Sequence, residues 1–117
     1  MELNSDSRLL RIFIGESDKT GHQPLYEAIL FAARRSGMAG CTVIRGIMSF
    51  GASTVVHTAK FIDVSTDLPV IVEIVDLEEK INGFVIIVNE MMEKAGRGGL
   101  ITVEKAGVLY YKHRRKA

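Results

Sequence analysis

A charged residue stands inside each of two strongly strand-like runs: Arg11 in Leu9–Ile14 and Glu73 in Val70–Val75. Successive side chains of a strand point to opposite faces. In the first run Leu10, Ile12 and Ile14 therefore share one face, and Leu9, Arg11 and Phe13 the other. An unpaired charge does not enter a dry core. A sheet built from these strands has one face for a core and one that meets water or another protein surface. By the same reasoning Arg45 and Glu104 are expected on the uncovered face, and alternation sets Leu9, Phe13, Val43, Ile47, Ile71, Val75 and Thr102 beside them. That mixture of apolar and charged side chains fits an interface better than bulk water, and predicts a homo-oligomer with sheets packed together and the Arg and Glu side chains paired.

The remaining elements follow in order. Gly15 to Gln23 is polar and reads as a loop. Pro24 suits the first turn of a helix, and Leu25, Ala28, Ile29 and Ala32 recur at helical spacing. Arg34, Arg35 and then Gly37 make a sensible helix end. A second strand is expected from Cys41 to Met48, followed by a long polar loop, Ser49 to Leu68. Pro69 belongs at the start of a third strand, where its missing N–H is harmless. Asp76 and Glu79 resemble a capping box for a second helix with the stripe Ile81, Phe84, Val85, Val88, Met91, Met92 and Ala95. Gly96, Gly98 and Gly99 end that helix, and Leu100 to Tyr111 reads as the last strand. The order βαββαβ predicts the α+β ferredoxin-like split βαβ, a four-stranded antiparallel sheet with both helices on one face.

At 117 residues the expectation is a single domain, 1–117, with a polar N-terminal segment 1–7. A chain of this length buries roughly two-thirds of its unfolded surface and needs no staple. Its one cysteine, Cys41, has no partner within the chain. Fifteen Lys and Arg against fourteen Asp and Glu give a net charge of +1, which is no electrostatic footprint for nucleic acid. The basic tail 112–117 reads most simply as a solvated terminus. No apolar run reaches the ~18 residues of a membrane span, so no membrane insertion and a cytoplasmic location are expected.

The residues that point to function are glycines next to cations. Arg45-Gly-Ile-Met-Ser-Phe-Gly51 closes the second strand and opens into the polar loop. Gly15-Glu-Ser-Asp-Lys-Thr-Gly-His22 follows the first strand, and Gly96-Arg97-Gly98-Gly99 precedes the last. Backbone N–H groups in such turns form anion nests. Lys19, Arg45, Lys60 and Arg97 add charge for phosphates, Arg through bidentate contacts and Lys as a point charge. None of these is a Walker A loop or a dinucleotide fingerprint. Each also has a plain structural explanation: a helix stop for Gly96–Gly99, an interface ion pair for Arg45, a solvated charge for Lys19. Their joint occurrence raises the phosphate-bearing ligand.

Several longer motifs then become specific. Phe13-Ile-Gly-Glu-Ser-Asp-Lys19, Pro24-Leu-Tyr-Glu-Ala28, Gly40-Cys-Thr-Val-Ile-Arg-Gly46, Phe50-Gly51, His57-Thr-Ala59 and Asp67-Leu-Pro-Val-Ile-Val-Glu-Ile-Val-Asp76 resemble the PII-like family catalogued as domain of unknown function 190, from about Arg8 to Tyr111. The resemblance implies a homotrimer with inward-facing sheets and an adenine nucleotide (AMP, ADP or ATP) in clefts between subunits. Arg45, Gly46, Phe50 and Gly51 would line one side and Gly98 and Gly99 the other. Ile47 and Val72 would flank the adenine, with Lys19, Lys60 and Arg97 near the phosphates. Segment 49–68 would correspond to the T-loop that contacts a regulated partner protein. It contains no tyrosine, so tyrosine uridylylation there is excluded. The last-strand basic pair of PII proteins has only a loose counterpart in Lys105 and Lys112.

Two other classes compete. An acylphosphatase-like hydrolase on this fold wants an Arg in the loop after the first strand and an Asn in the second strand; neither is present. A trimeric metal-binding or structural adaptor would use His57, Asp63 and Glu16, which show no ligand spacing. No catalytic residue and no metal ligand is assigned.

Overall fold

The computed structural model describes residues 6–50, 56–58 and 67–112, with backbone only for 56–58. Strand β1 (Ser7–Gly15) is followed by two short paired strands, β2 (Lys19–Thr20) and β3 (Gln23–Pro24), and helix α1 (Leu25–Arg35). Then come β4 (Thr42–Arg45), β5 (Met48–Phe50), β6 (Val56–Thr58), β7 (Pro69–Leu77), α2 (Glu78–Ala95) and β8 (Leu100–Lys105). The main sheet has the order β4-β7-β1-β8, every pair antiparallel, and β5 pairs with β6 in a separate hairpin. This is the ferredoxin-like arrangement, with β1 and β7 central.

The alternation read from the sequence sets the core. Leu10, Ile12 and Ile14 of β1 and Val70, Val72 and Ile74 of β7 are buried against Leu25, Ile29 and Ala32 of α1 and Ile81, Phe84 and Val88 of α2. Each Val, Leu, Ile or Phe side chain among them contributes roughly 1.5–3 kcal/mol by leaving water. α1 ends with Arg34 and Arg35 in its last turn and Gly37 at φ +71°; α2 ends on Gly96 at φ +67°, a left-handed cap that glycine adopts without strain.

On the opposite face, Arg11 donates from Nε to Glu73 (2.9 Å) and from a terminal guanidinium nitrogen to Glu104 (2.6 Å). These carboxylates raise the pKa of Arg11 further. The predicted Arg–Glu pairing is therefore satisfied within one chain. Segment 106–111 runs from β8 toward β4, and Val108, Tyr110 and Tyr111 form a groove of about 370 Å³ with Leu9, Thr42 and Val75.

Several expectations are corrected. The second strand stops at Arg45, and Met48–Phe50 turns away into the hairpin. Its parity is also reversed: Val43 is paired with Val72 and packs on the core, whereas Thr42 and Ile44 lie opposite Glu73 and Ile71 on the uncovered face. Val72 is fully buried under the helices, so it cannot flank an adenine. No capping box forms. The residue before α2 is Leu77, without a side-chain cap, and Asp76 is still in the strand. Pro24 precedes the helix instead of lying in its first turn. The last strand ends at Lys105, not Tyr111. Gly51, Lys60, Asp63, segments 1–5 and 113–117, and the side chain of His57 lie outside the described residues.

Candidate functional site

Antiparallel pairing brings four chain corners to one end of the sheet. Gly15 is opposite Pro69, Arg45 opposite Val70, and Phe13 opposite Leu100. The end of β4, the start of β7, the end of β1 and the turn before β8 thus share one rim. The three glycine-rich corners read from the sequence converge here.

Glycine is required at two of them by close approach. The Gly46 N–H donates to the Pro69 carbonyl (2.7 Å), and a Cβ on Gly46 would come within 2.6 Å of the Pro69 ring. Gly99 has φ +153°, and a Cβ there would stand 2.7 Å from the Phe13 carbonyl oxygen and 2.5 Å from the Met92 methyl. Gly96, Gly98, Gly99, Asn89, Met92 and Ile101 line a groove of about 470 Å³ between α2 and β8.

The loop after β1 supplies the carboxylates of the rim. Glu16 forms an ion pair with the Nε of Arg45. Asp18, only 4% exposed, accepts the Gly15 N–H (3.0 Å) and lies 3.9 Å from the Arg97 Nε. The Asp67 carboxylate accepts the Ser17 N–H (2.8 Å), and the Leu68 carbonyl accepts the Glu16 N–H (2.8 Å). Asp18 also presents its carbonyl to the Leu25 N–H (2.8 Å), which ties the loop to the start of α1.

Of the sequence-predicted site residues, Arg45, Gly46, Arg97, Gly98 and Gly99 come to this rim. Ile47 and Phe50 are exposed just beyond β4, at 80% and 73%. Lys19 is exposed on β2. Lys105 pairs with Arg8 at the far end of the sheet, away from the rim. From the sequence, Glu16 is named only among scattered metal-ligand candidates, and Asp18 and Asp67 are given no role. Asx-type turn chemistry in Gly15-Glu-Ser-Asp18 was the available signal.

Across this rim β4 and β8 are the two outer strands, three strand spacings or about 14 Å apart. Arg45–Gly46 and Gly98–Gly99 therefore mark opposite edges of one subunit's sheet. Among the described residues no group of three or more His, Cys, Asp or Glu side chains is arranged to hold a metal ion. No helix among them is long and apolar enough to cross a membrane.

The family model for domain of unknown function 190, described as Uncharacterized ACR, matches residues 7–108. A UPF0166 protein of Aquifex aeolicus (strain VF5) is 38% identical over 103 residues, which is 88% of this chain and 93% of that protein. Among solved structures, CPII of Thiomonas intermedia K12, a nitrogen regulatory PII-like protein bound to ADP, AMP and bicarbonate, is similar with a TM-score of 0.66. It is 16% identical, and 87% of each chain is covered. A phage SAM lyase in complex with S-methyl-5′-thioadenosine has a TM-score of 0.52 at 20% identity, covering 92% of this chain and 88% of that one. At these identities the two structures speak for the fold.

Proposed function

Because the chain belongs to the domain of unknown function 190 family and has a PII-like fold, we propose that it is a PII-like regulatory protein whose ligand is an adenine nucleotide. In this reading it acts as a cytoplasmic homotrimer, binds the nucleotide in clefts between subunits, and signals through segment 49–68 to a partner protein. It is not assigned an enzymatic reaction.

The observation that carries the reading is the division of the rim between opposite sheet edges. A nucleotide held by Arg45 and Gly46 on one edge and by Arg97, Gly98 and Gly99 on the other needs a second copy to bring the two together. Head-to-tail contacts that close into a ring do this at every seam. The Arg45 and Arg97 guanidinia and the backbone of Gly98–Gly99 then receive phosphate, while exposed Ile47 and Phe50 offer apolar surface to the base. Lys19, Lys60 and Gly51 remain candidates on the same side. A ligand that favours one arrangement of segment 49–68 shifts its population and thereby the partner surface. CPII supports this reading, since it was crystallised with ADP and AMP.

A thermal-shift panel with AMP, ADP, ATP and cyclic AMP tests it. At least one adenylate should stabilise the protein, by about 2.7 kcal/mol at a hundredfold excess over its Kd. Arg45→Ala should weaken calorimetric affinity for that ligand roughly tenfold or more, as expected for loss of a charge-assisted hydrogen bond. Sedimentation should give the mass of three chains. A monomer indifferent to all four compounds would sink the proposal.

A further inference from the structure

The loop after β1 holds both ends of the segment that connects β4 to β7. Its Glu16 carboxylate takes the entry through Arg45, while the Glu16 and Ser17 N–H groups take the exit through the Leu68 carbonyl and the Asp67 carboxylate. The same loop reaches the turn before β8 through Asp18 and Arg97. Its tethers are of unequal quality. Asp18 is buried and bound to backbone at both its carboxylate and its carbonyl. The Glu16–Arg45 pair is a contact of charges without a hydrogen bond: the Glu16 oxygen facing Arg45 is shielded and has no hydrogen-bond partner, while the Arg45 side chain is 64% exposed. An exposed ion pair is weak because water and salt screen it. The guanidinium that faces the rim is thus paired by charge alone with a carboxylate that another anion can displace.

We infer that Glu16 is the resident counter-ion of Arg45 and sets the site's selectivity for phosphate charge, exchanging that guanidinium with the phosphate of the incoming nucleotide. The inference rests on the nucleotide reading given above. Two phosphate oxygens can accept two Arg45 N–H groups in a bidentate pair. Glu16 then stands as an uncompensated negative charge beside the phosphate, and the two repel. Binding is opposed by Glu16, so removing its charge improves affinity where most substitutions at a site reduce it.

Calorimetric titration of the whole protein with ADP and with adenosine tests this. Glu16→Gln should bind ADP roughly two- to fivefold more tightly, the range set by a surface ion pair, with adenosine affinity unchanged. In an Arg45→Gln background the gain from Glu16→Gln should shrink, since only the direct repulsion between Glu16 and the phosphate remains. Glu16→Ser carries the same expectation and serves as the second variant should Glu16→Gln not fold. ADP affinity unchanged or weakened in Glu16→Gln overturns the inference, as does an equal gain for adenosine. If Arg45→Gln still weakens ADP binding in that case, the nucleotide reading survives alone. A wild-type protein that binds no adenylate overturns both.

Discussion

At one end of the sheet the Asp76 carboxylate is fully buried. It accepts the N–H groups of Ala39 (2.8 Å) and Leu77 (2.7 Å), with the Lys80 ammonium 3.7 Å away. At the other end the Glu16 carboxylate faces the largely exposed Arg45 side chain in an ion pair without a hydrogen bond. The parts are the same, a carboxylate and a cation on neighbouring elements, but the surroundings differ. Buried Asp76 has no water to fall back on, so each bond it makes fixes the chain between α1 and β4 against the start of α2. Lys80 and the Tyr111 hydroxyl close the same corner by donating to the Gly37 and Ala39 carbonyls. Glu16 can trade its partner for water or for another anion at little cost. One end of the sheet is built to stay shut and the other to be rearranged.

The largest expected effect lies at the shut end. Asp76→Ala leaves two part-buried N–H groups and a nearby ammonium without their buried acceptor, and should cost about 3 kcal/mol in urea unfolding. Glu16→Gln, the corresponding change at the open end, should move stability by less than about 0.5 kcal/mol. Similar losses for the two variants would erase the contrast between the ends.

The open end contains one rigid point, Gly99, which sharpens the comparison. Its φ of +153° and the contacts its Cβ would make with the Phe13 carbonyl and the Met92 methyl leave no room for alanine. Gly99→Ala should cost about 2 kcal/mol or more in the same assay. Gly98, at φ +77° with nothing within 4 Å of a Cβ, should lose only the left-handed strain of about 1 kcal/mol. Equal costs at the two positions would show that the turn before β8 yields as a unit. The rigid framework of the rim would then have to come from Gly46 and Pro69 alone.

What the sequence could show of this follows from how far its signals reach. Leu10, Ile12 and Ile14, with Val70, Val72 and Ile74, carry a period that only a half-buried strand explains, so the sheet and its core were legible. The stripe on α2 was legible too, despite the strand-like Phe84–Val88, because the pattern continues to Ala95. The parity of β4 was not. Arg45 is the last residue of its strand, and a long side chain there can escape past the sheet end to Glu16 whichever face its Cβ starts from. Assigning it to the uncovered face shifted Val43 with it. Asp76 looked like a helix cap because Glu79 follows it at the right spacing, but its bond to Ala39 lies 37 residues away. The rim divides in the same way. Its glycines and cations are local motifs, whereas the carboxylate tethers join Ser17 to Asp67 and Glu16 to Arg45 across long stretches of chain that only folding brings together.

The smallest expected effect belongs to Cys41, which stands between the Asp76 corner and β4 and lines the groove on the uncovered face. Burial pushes its thiol from 9.0 up to about 11. The thiolate is the reactive form, so iodoacetamide should label the folded protein slowly near neutral pH. The rate should climb about tenfold per pH unit until it levels near pH 11, since each unit below the pKa removes about nine-tenths of the thiolate. The protein has a single cysteine, so the signal has one source. Stability moves the opposite way with pH. Below pH 9 both folded and unfolded chains hold the proton and the contribution is intact. Between 9 and 11 only the unfolded chain ionises, and stability falls as pH rises through that window. A labelling rate that levels near pH 9 would mean that water reaches Cys41. The packing of Tyr111 and segment 106–111 across that corner would then be looser than the bonds around Asp76 require, and the shut end would be shut at Asp76 alone.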